Sequence, residues 1–144
     1  MLPEEPTAPG ASLPRPHSAV DRLADQSQID FDIEFFDHVL LRDPDFVDVL
    51  RCQGQLLSRK GLNARAVEVD RRLVRLLPTD GIAHYNLACS LALSQRRREA
   101  LHELRQALAN GYDDLEFLET DGDLECLRED PDYRELLRRH RRQK

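Results

Sequence analysis

Two consecutive stretches of equal length carry the strongest structural signal in this sequence. Residues 44–77 read PDFVDVLRCQGQLLSRKGLNARAVEVDRRLVRLL, and residues 78–111 read PTDGIAHYNLACSLALSQRRREALHELRQALANG. Each stretch opens on a proline, and these two prolines, Pro44 and Pro78, lie 34 residues apart. A fixed period of this length is typical of a chain that is built from repeated helical units.

Apolar residues within and before these stretches recur at the spacing of one helix face. The pattern predicts five helices of about 12–15 residues. They cover residues 29–42, 46–59, 64–77, 80–94 and 98–110. Pro44 and Pro78 end the helices before them, since proline clashes with the preceding turn, and Gly111 lies where a left-handed C-terminal cap belongs. Because the turns are very short, we expect neighbouring helices to pack antiparallel, and we predict no strand.

The flanking regions differ from this helical part. Residues 1–26 are rich in proline and poor in apolar side chains, so we expect a disordered leader that is either a partner-binding tail or simply solvated. The remaining domain, residues 27–144, divides into four predicted parts. They are an N-terminal helix over 29–43, a repeat over 44–78, a repeat over 79–111 and a capping segment over 112–144.

This organisation resembles the tetratricopeptide repeat family. The resemblance is carried by the period of 34 residues, by Gly54, Gly61, Ala66 and Pro78, and by AHYNLACSLAL (83–93) with Ala100 and Ala107. The residues after Gly111 resemble the short helical closing segment of some family members. The resemblance implies an all-α, right-handed solenoid of antiparallel helix pairs with a helical end cap.

The sequence departs from the family pattern at several positions. Asp70 stands where a large apolar residue is usual, and Gln53 stands where leucine is usual. Leu50 and His84 replace the common tryptophan, and Tyr112 stands at the second closing proline. We expect these departures to alter local packing and to leave the architecture unchanged.

Composition and motifs argue against several functional classes. The chain of 144 residues is 40% hydrophobic and 33% charged, with a net charge of −6. It carries no secretory signal pattern, so we expect a cytoplasmic protein without a membrane segment. Three widely spaced cysteines, Cys52, Cys89 and Cys126, fit neither a disulfide framework nor a zinc motif, and we interpret them as buried or half-buried thiols.

Motifs for catalysis or metal binding are missing from the sequence. The five histidines form no HExxH motif, and there is no glycine-rich phosphate loop. The run Asp121-Gly122-Asp123 lacks the register of a calcium-binding loop, and we interpret it as a turn. We therefore predict a protein that is not an enzyme and has no cofactor and no metal site.

The family resemblance implies a binding groove along the first helix of each repeat. The positions that face this groove are Asp48, Arg51, Gln55, Arg59, Ile82, Tyr85, Asn86 and Cys89. We expect the ligand to be a segment of another protein or a peptide and not a small-molecule substrate. Alternatively, Asn86 only bonds a neighbouring backbone and Tyr85 only packs against the closing segment.

Some family members clamp a C-terminal carboxylate in this groove. Here Arg51 and Gln55 stand where lysine and asparagine would be, and Asn86 is in place. The third contribution to such a clamp is missing from any full repeat, so a clamp is not our main expectation.

Two further hypotheses come from other surfaces. Helix 29–42 presents an edge that is able to stack on a second copy of the chain. The arginine-rich tail over 138–144 is able to contact nucleic acid or another anion, but the preceding stretch 113–132 contains ten acidic residues and one basic residue. These neighbouring charges argue against nucleic-acid binding.

Overall fold

The computed structural model describes residues 18–143, and every regular element within that range is a helix. The helices are α1 (Ala19–Arg42), α2 (Val47–Arg59), α3 (Asn63–Leu76), α4 (Gly81–Leu93), α5 (Arg97–Ala109), α6 (Leu115–Thr120), a 3₁₀ helix (Gly122–Leu127) and α7 (Pro131–Arg142). The prediction of an all-α chain is therefore confirmed for the described residues.

The four helices of the two predicted repeats begin and end within one residue of their predicted bounds. The Asp80 side chain caps α4 by accepting hydrogen bonds from the amides of Ile82 and Ala83. Gly111 follows α5 with a φ of 94°, the left-handed conformation expected of a C-terminal cap.

The N-terminal helix begins earlier than the sequence pattern indicated. We predicted a helix over 29–43 after a disordered leader over 1–26, whereas α1 begins at Ala19. Ser18 and Asp21 form a reciprocal capping box, in which each side chain accepts from the other residue's backbone amide. The leader prediction is therefore wrong for residues 19–26, and its remaining part, residues 1–17, lies outside the described residues.

Each helix from α1 to α4 packs on the next one in the chain. Three apolar clusters fill the space between them. One joins Ile33, Leu57 and Ala66 of α1, α2 and α3. A second joins Leu50, Leu73 and Ala83 of α2, α3 and α4. The third and largest lies between α4, α5 and the closing segment, which is residues 115–142.

The closing segment covers the last helix pair. Its leucines Leu118, Leu124 and Leu127 are fully buried, and Tyr133 and Leu137 are nearly so. All of them belong to the same cluster as α4 and α5. Burial of such side chains stabilises the fold by about 1.5–3 kcal/mol each relative to leaving them exposed.

A polar contact joins α1 to α2 at one of the departures from the family pattern. The Gln53 amide is fully buried, and its Nε2 donates to Asp37 Oδ1 at 2.6 Å and to the Ile33 carbonyl at 3.3 Å. Arg65 of α3 donates to the same Asp37 carboxylate at 2.9 Å. Gln53 thus replaces an apolar contact with hydrogen bonds to acceptors on α1.

The exposure of the three cysteines and the apolar character of the helices bear on two further predictions. Cys52 of α2 is exposed, so its predicted burial is wrong, whereas Cys89 is buried and Cys126 is half-buried. Across residues 18–143, none of the helices combines the length and the apolar character that a bilayer span requires.

Candidate functional site

A cleft of about 380 Å³ lies above α3, between α2, α4 and the closing segment. Four elements supply its walls. Its lining residues are Gly54, Gln55, Ser58 and Arg59 of α2, Asp70 of α3, Tyr85, Asn86, Cys89 and Ser90 of α4, and Phe117, Asp121 and Asp123 of the closing segment.

Five of the eight residues predicted to face a groove line this cleft. They are Gln55, Arg59, Tyr85, Asn86 and Cys89. Gln55 and Arg59 are exposed, Asn86 is half-buried, and Tyr85 and Cys89 are buried. Among these five residues, Gln55, Arg59 and Asn86 therefore offer the accessible polar side chains.

The other three predicted residues lie outside the cleft. Arg51 forms an ion pair with Asp80, the residue that caps α4. Asp48 is exposed on α2, and Ile82 is 58% exposed at the start of α4. Because the Arg51 guanidinium is engaged with Asp80, it is not free to clamp a ligand carboxylate.

Tyr85 holds the closing segment against α4. Its hydroxyl donates to Asp121 Oδ2 at 2.5 Å, and its ring stacks on Tyr112 with centroids 4.2 Å apart. Burial, together with the nearby Cys89 and Asp121, raises the pKa of the Tyr85 hydroxyl far above its usual value. Tyr85 thus packs on the closing segment, as the alternative interpretation of this residue proposed, and its ring also forms part of the cleft.

The floor of the cleft is a buried carboxylate that was not among the predicted site residues. Asp70 is only 4% exposed, and Ser90 Oγ donates to its Oδ2 at 2.5 Å. A Cβ atom at position 54 would overlap Asp70 Oδ1. Glycine at this position therefore leaves the space that the carboxylate occupies between α2 and α3.

Burial is the main influence on the pKa of the Asp70 carboxyl group. Loss of hydration raises the pKa of Asp70 from 3.8 to about 6, and the hydrogen bond from Ser90 opposes this rise only in part. Asp70 is consequently charged at neutral pH and becomes protonated under mildly acidic conditions.

Asp121, Asp123 and Cys89 bring three potential ligand atoms within 4.8 Å of one another. Burial and the two aspartates raise the pKa of the Cys89 thiol well above its usual value, so the sulfur keeps its proton at neutral pH. Asp121 Oδ2 already accepts a hydrogen bond from Tyr85. We assign no metal to this group.

The residues that sequence reasoning missed carried only weak signals. Asp70 falls on the same helix face as Ala66 and Leu73, and 34 residues later the fully buried Leu104 holds the matching position. A carboxylate in an apolar stripe was therefore a visible anomaly. Asp121 was interpreted as part of a turn, and nothing in the sequence indicates that it meets Tyr85.

Comparison with known proteins gives limited similarity. No protein-family model matches the chain. A stretch of 89 residues is 32% identical to part of a chloroplastic protein of Arabidopsis thaliana. The match covers 60% of this chain and 27% of that protein, so the chain spans about a quarter of the relative's length.

The raised pKa of Asp70 predicts a specific dependence of stability on pH. The folded chain binds the Asp70 proton more tightly than the unfolded chain does. Protonation of Asp70 therefore adds to the free energy of unfolding, and this contribution is complete below pH 3.8 and is lost as the pH rises through about 6. Relative to an Asp70→Asn variant, we expect the free energy of unfolding to fall by about 2 kcal/mol between pH 4.5 and 7.5.

Urea denaturation at the two pH values measures this difference. Asp48→Asn, which neutralises an exposed carboxylate of α2, is the matched control and should keep the wild-type profile. Parallel pH profiles for the wild type and Asp70→Asn would show that Asp70 does not titrate in this range.

Proposed function

We propose that this chain is a non-enzymatic protein-interaction module of the tetratricopeptide type, which binds a short segment of a partner protein in the cleft. In this proposal the helices form a right-handed solenoid of antiparallel pairs, and the closing segment is its end cap. The observation that carries the proposal is that five of eight predicted groove residues line one cleft.

Backbone details at a spacing of 34 residues support the repeat interpretation. Gly61 and Gln95 follow the first helix of each predicted repeat, and both have positive φ angles, 81° and 60°. The next amides, of Leu62 and Arg96, donate at 2.9 Å to the carbonyls of Leu57 and Leu91. Gln95 is not a glycine, and a non-glycine residue uncommonly adopts a positive φ angle. The recurrence of this conformation at positions 61 and 95 therefore favours the same turn structure in both repeats.

Three polar side chains of α4, in or near the cleft, are engaged in ways that do not favour catalysis. Cys89 keeps its proton because burial raises its pKa, and the Tyr85 hydroxyl is occupied by Asp121. The His84 ring nitrogens lie 2.6 Å from Glu103 Oε2 and 2.7 Å from the Pro78 carbonyl. A nucleophile or general base needs a free reactive atom within reach of a substrate, and these groups offer none.

A paired set of variants tests the cleft as the binding surface. The first removes Gln55 and Arg59, the two exposed side chains of α2 that line the cleft, as Gln55→Ala/Arg59→Ala. The second is the control Arg105→Ala/Gln106→Ala, which makes the same changes on α5, away from the cleft. We expect the cleft variant to lose about tenfold in affinity for a captured partner, equivalent to about 1.4 kcal/mol of lost contacts.

Affinity capture from the native host, with quantitative mass spectrometry, measures this loss. Proteins that are retained by the wild type and the control but depleted by the cleft variant support the proposal. If both variants retain the same proteins in the same amounts, the cleft does not bind a partner.

A specific observation also favours self-association as a second candidate function. Five of the nine exposed large apolar residues that the structure describes lie on α1: Val20, Leu23, Phe31, Phe35 and Leu41. At 100° per residue these side chains share one side of the helix, opposite the Ile29 and Ile33 face that packs toward α2 and α3. In this candidate the uncovered side pairs with α1 of a second copy.

Sedimentation velocity across a dilution series tests this second candidate. We expect the wild type to shift from dimer to monomer on dilution, and Phe31→Glu to be monomeric throughout. Leu62→Glu changes an exposed apolar residue in the turn after α2 and should behave like the wild type. A wild-type monomer at all concentrations would exclude the pairing of α1.

The arginine-rich tail has contacts that oppose anion binding. Arg138 and Arg139 both pair with Glu135 at 2.8 Å, and Arg141 pairs with Glu119 of α6. These carboxylates neutralise part of the positive charge of α7, so we do not propose a nucleic-acid surface there.

The three cysteines are free, as expected in a reducing compartment such as the cytoplasm.

A further inference from the structure

The Asp70 carboxylate has one oxygen without a hydrogen-bond donor among the described residues. Ser90 donates to Oδ2, whereas Oδ1 lies against Gly54 at the floor of the cleft. Asp70 Oδ1 is not among the buried polar atoms that lack a partner, so this oxygen is accessible from the cleft. A ligand that donates to Oδ1 would take the place of water there, since no residue of the described chain donates to it.

Two further carboxylates line the same cleft. Asp121 accepts hydrogen bonds from the Tyr85 hydroxyl and from the backbone amide of Asp123. Burial and the neighbouring Asp121 raise the pKa of Asp123, which is the effect expected of a negative charge close by. None of the ion pairs among the described residues involves Asp70, Asp121 or Asp123.

The charge balance of the cleft is therefore negative. Three carboxylates line it, and Arg59 is the one lysine or arginine among its lining residues. A cation that enters a partly buried site of this sign forms charge-assisted hydrogen bonds, which are about twice as strong as neutral ones. The charge of the site thus selects a basic group over an acidic one.

The size and aromatic lining of the cleft fit the stem of a long side chain. Its volume of about 380 Å³ is near the lower end of ligand pockets, which is about 300 Å³, so it has room for one or two side chains. The Phe117 ring is 52% exposed at the rim, where it is able to cover methylene groups and to contact a cation through its face.

We infer that the cleft recognises a lysine or arginine side chain of the partner segment, whose cationic head binds Asp70 Oδ1, Asp121 and Asp123 while its stem lies along Phe117. This inference rests on the proposed function, because it names the chemistry of the segment that the cleft would bind. Gly54 is essential to it, since any side chain there would displace the Asp70 carboxylate.

Nuclear magnetic resonance titration of the full chain with four capped amino acids tests the inference. The probes are the Nα-acetyl methylamides of lysine, arginine, norleucine and glutamate; norleucine supplies an aliphatic stem without the charge. We expect lysine and arginine to shift the amides of Asp70, Ser90, Asp121 and Asp123 saturably, with a Kd of about 1 mM, the range expected of so small a ligand.

Matched charge variants localise the effect. Asp121→Asn/Asp123→Asn should weaken lysine binding about tenfold, because two charges are lost. The single amide oxygen at position 121 is able to keep one of the two hydrogen bonds that the Asp121 oxygens accept from Tyr85 and from the Asp123 amide. Asp113→Asn/Asp132→Asn makes the same change in net charge at two exposed positions outside the cleft and should bind lysine as the wild type does.

The remaining outcomes overturn the inference in distinguishable ways. Equal shifts with norleucine or glutamate would overturn the basic preference and leave binding in the cleft intact. Loss of lysine binding in both charge variants alike would show that it follows net charge and not these residues. If no probe shifts the cleft amides, the inference fails, and the partner-capture experiment decides separately whether the cleft binds proteins.

Discussion

The contact between Gly54 of α2 and Asp70 of α3 is the constraint on which the candidate binding surface depends. A carboxylate that leaves water needs donors, and Ser90 of α4 supplies one, to a single oxygen. The absence of a side chain at position 54 lets the other oxygen lie against α2. Residues of α2, α3 and α4 therefore meet at the Asp70 carboxylate. The cleft between these helices has a charged floor where the repeat pattern predicts an apolar side chain.

A second polar contact completes the cleft from the other side. The Tyr85 hydroxyl and the Asp121 carboxylate join α4 to the closing segment, and the Tyr85 ring stacks on the ring of Tyr112. The closing segment therefore has two roles. It buries the apolar end of the α4–α5 pair, and it contributes Phe117, Asp121 and Asp123 to the cleft.

Periodicity predicted α2 to α5 within one residue because their apolar stripes are buried against neighbours and their ends carry proline, glycine or a capping aspartate. It misplaced the start of α1, where a capping box at Ser18 begins a helix whose first two turns touch little else. The family resemblance found five cleft residues and missed Asp70, Asp121 and Asp123. Their roles depend on which side chain faces them from another helix, and spacing along one chain does not contain that information.

A double-mutant cycle on Gly54 and Asp70 tests the constraint most directly, with the free energy of unfolding measured in urea at pH 7.5. We predict that Gly54→Ala destabilises the wild-type chain by about 1–3 kcal/mol, because its Cβ overlaps the Asp70 carboxylate. In an Asp70→Ala background the same change should stabilise by up to about 1 kcal/mol, since alanine favours a helix over glycine. Equal effects of Gly54→Ala in the two backgrounds would show that the residues are not coupled and would contradict this description of the cleft.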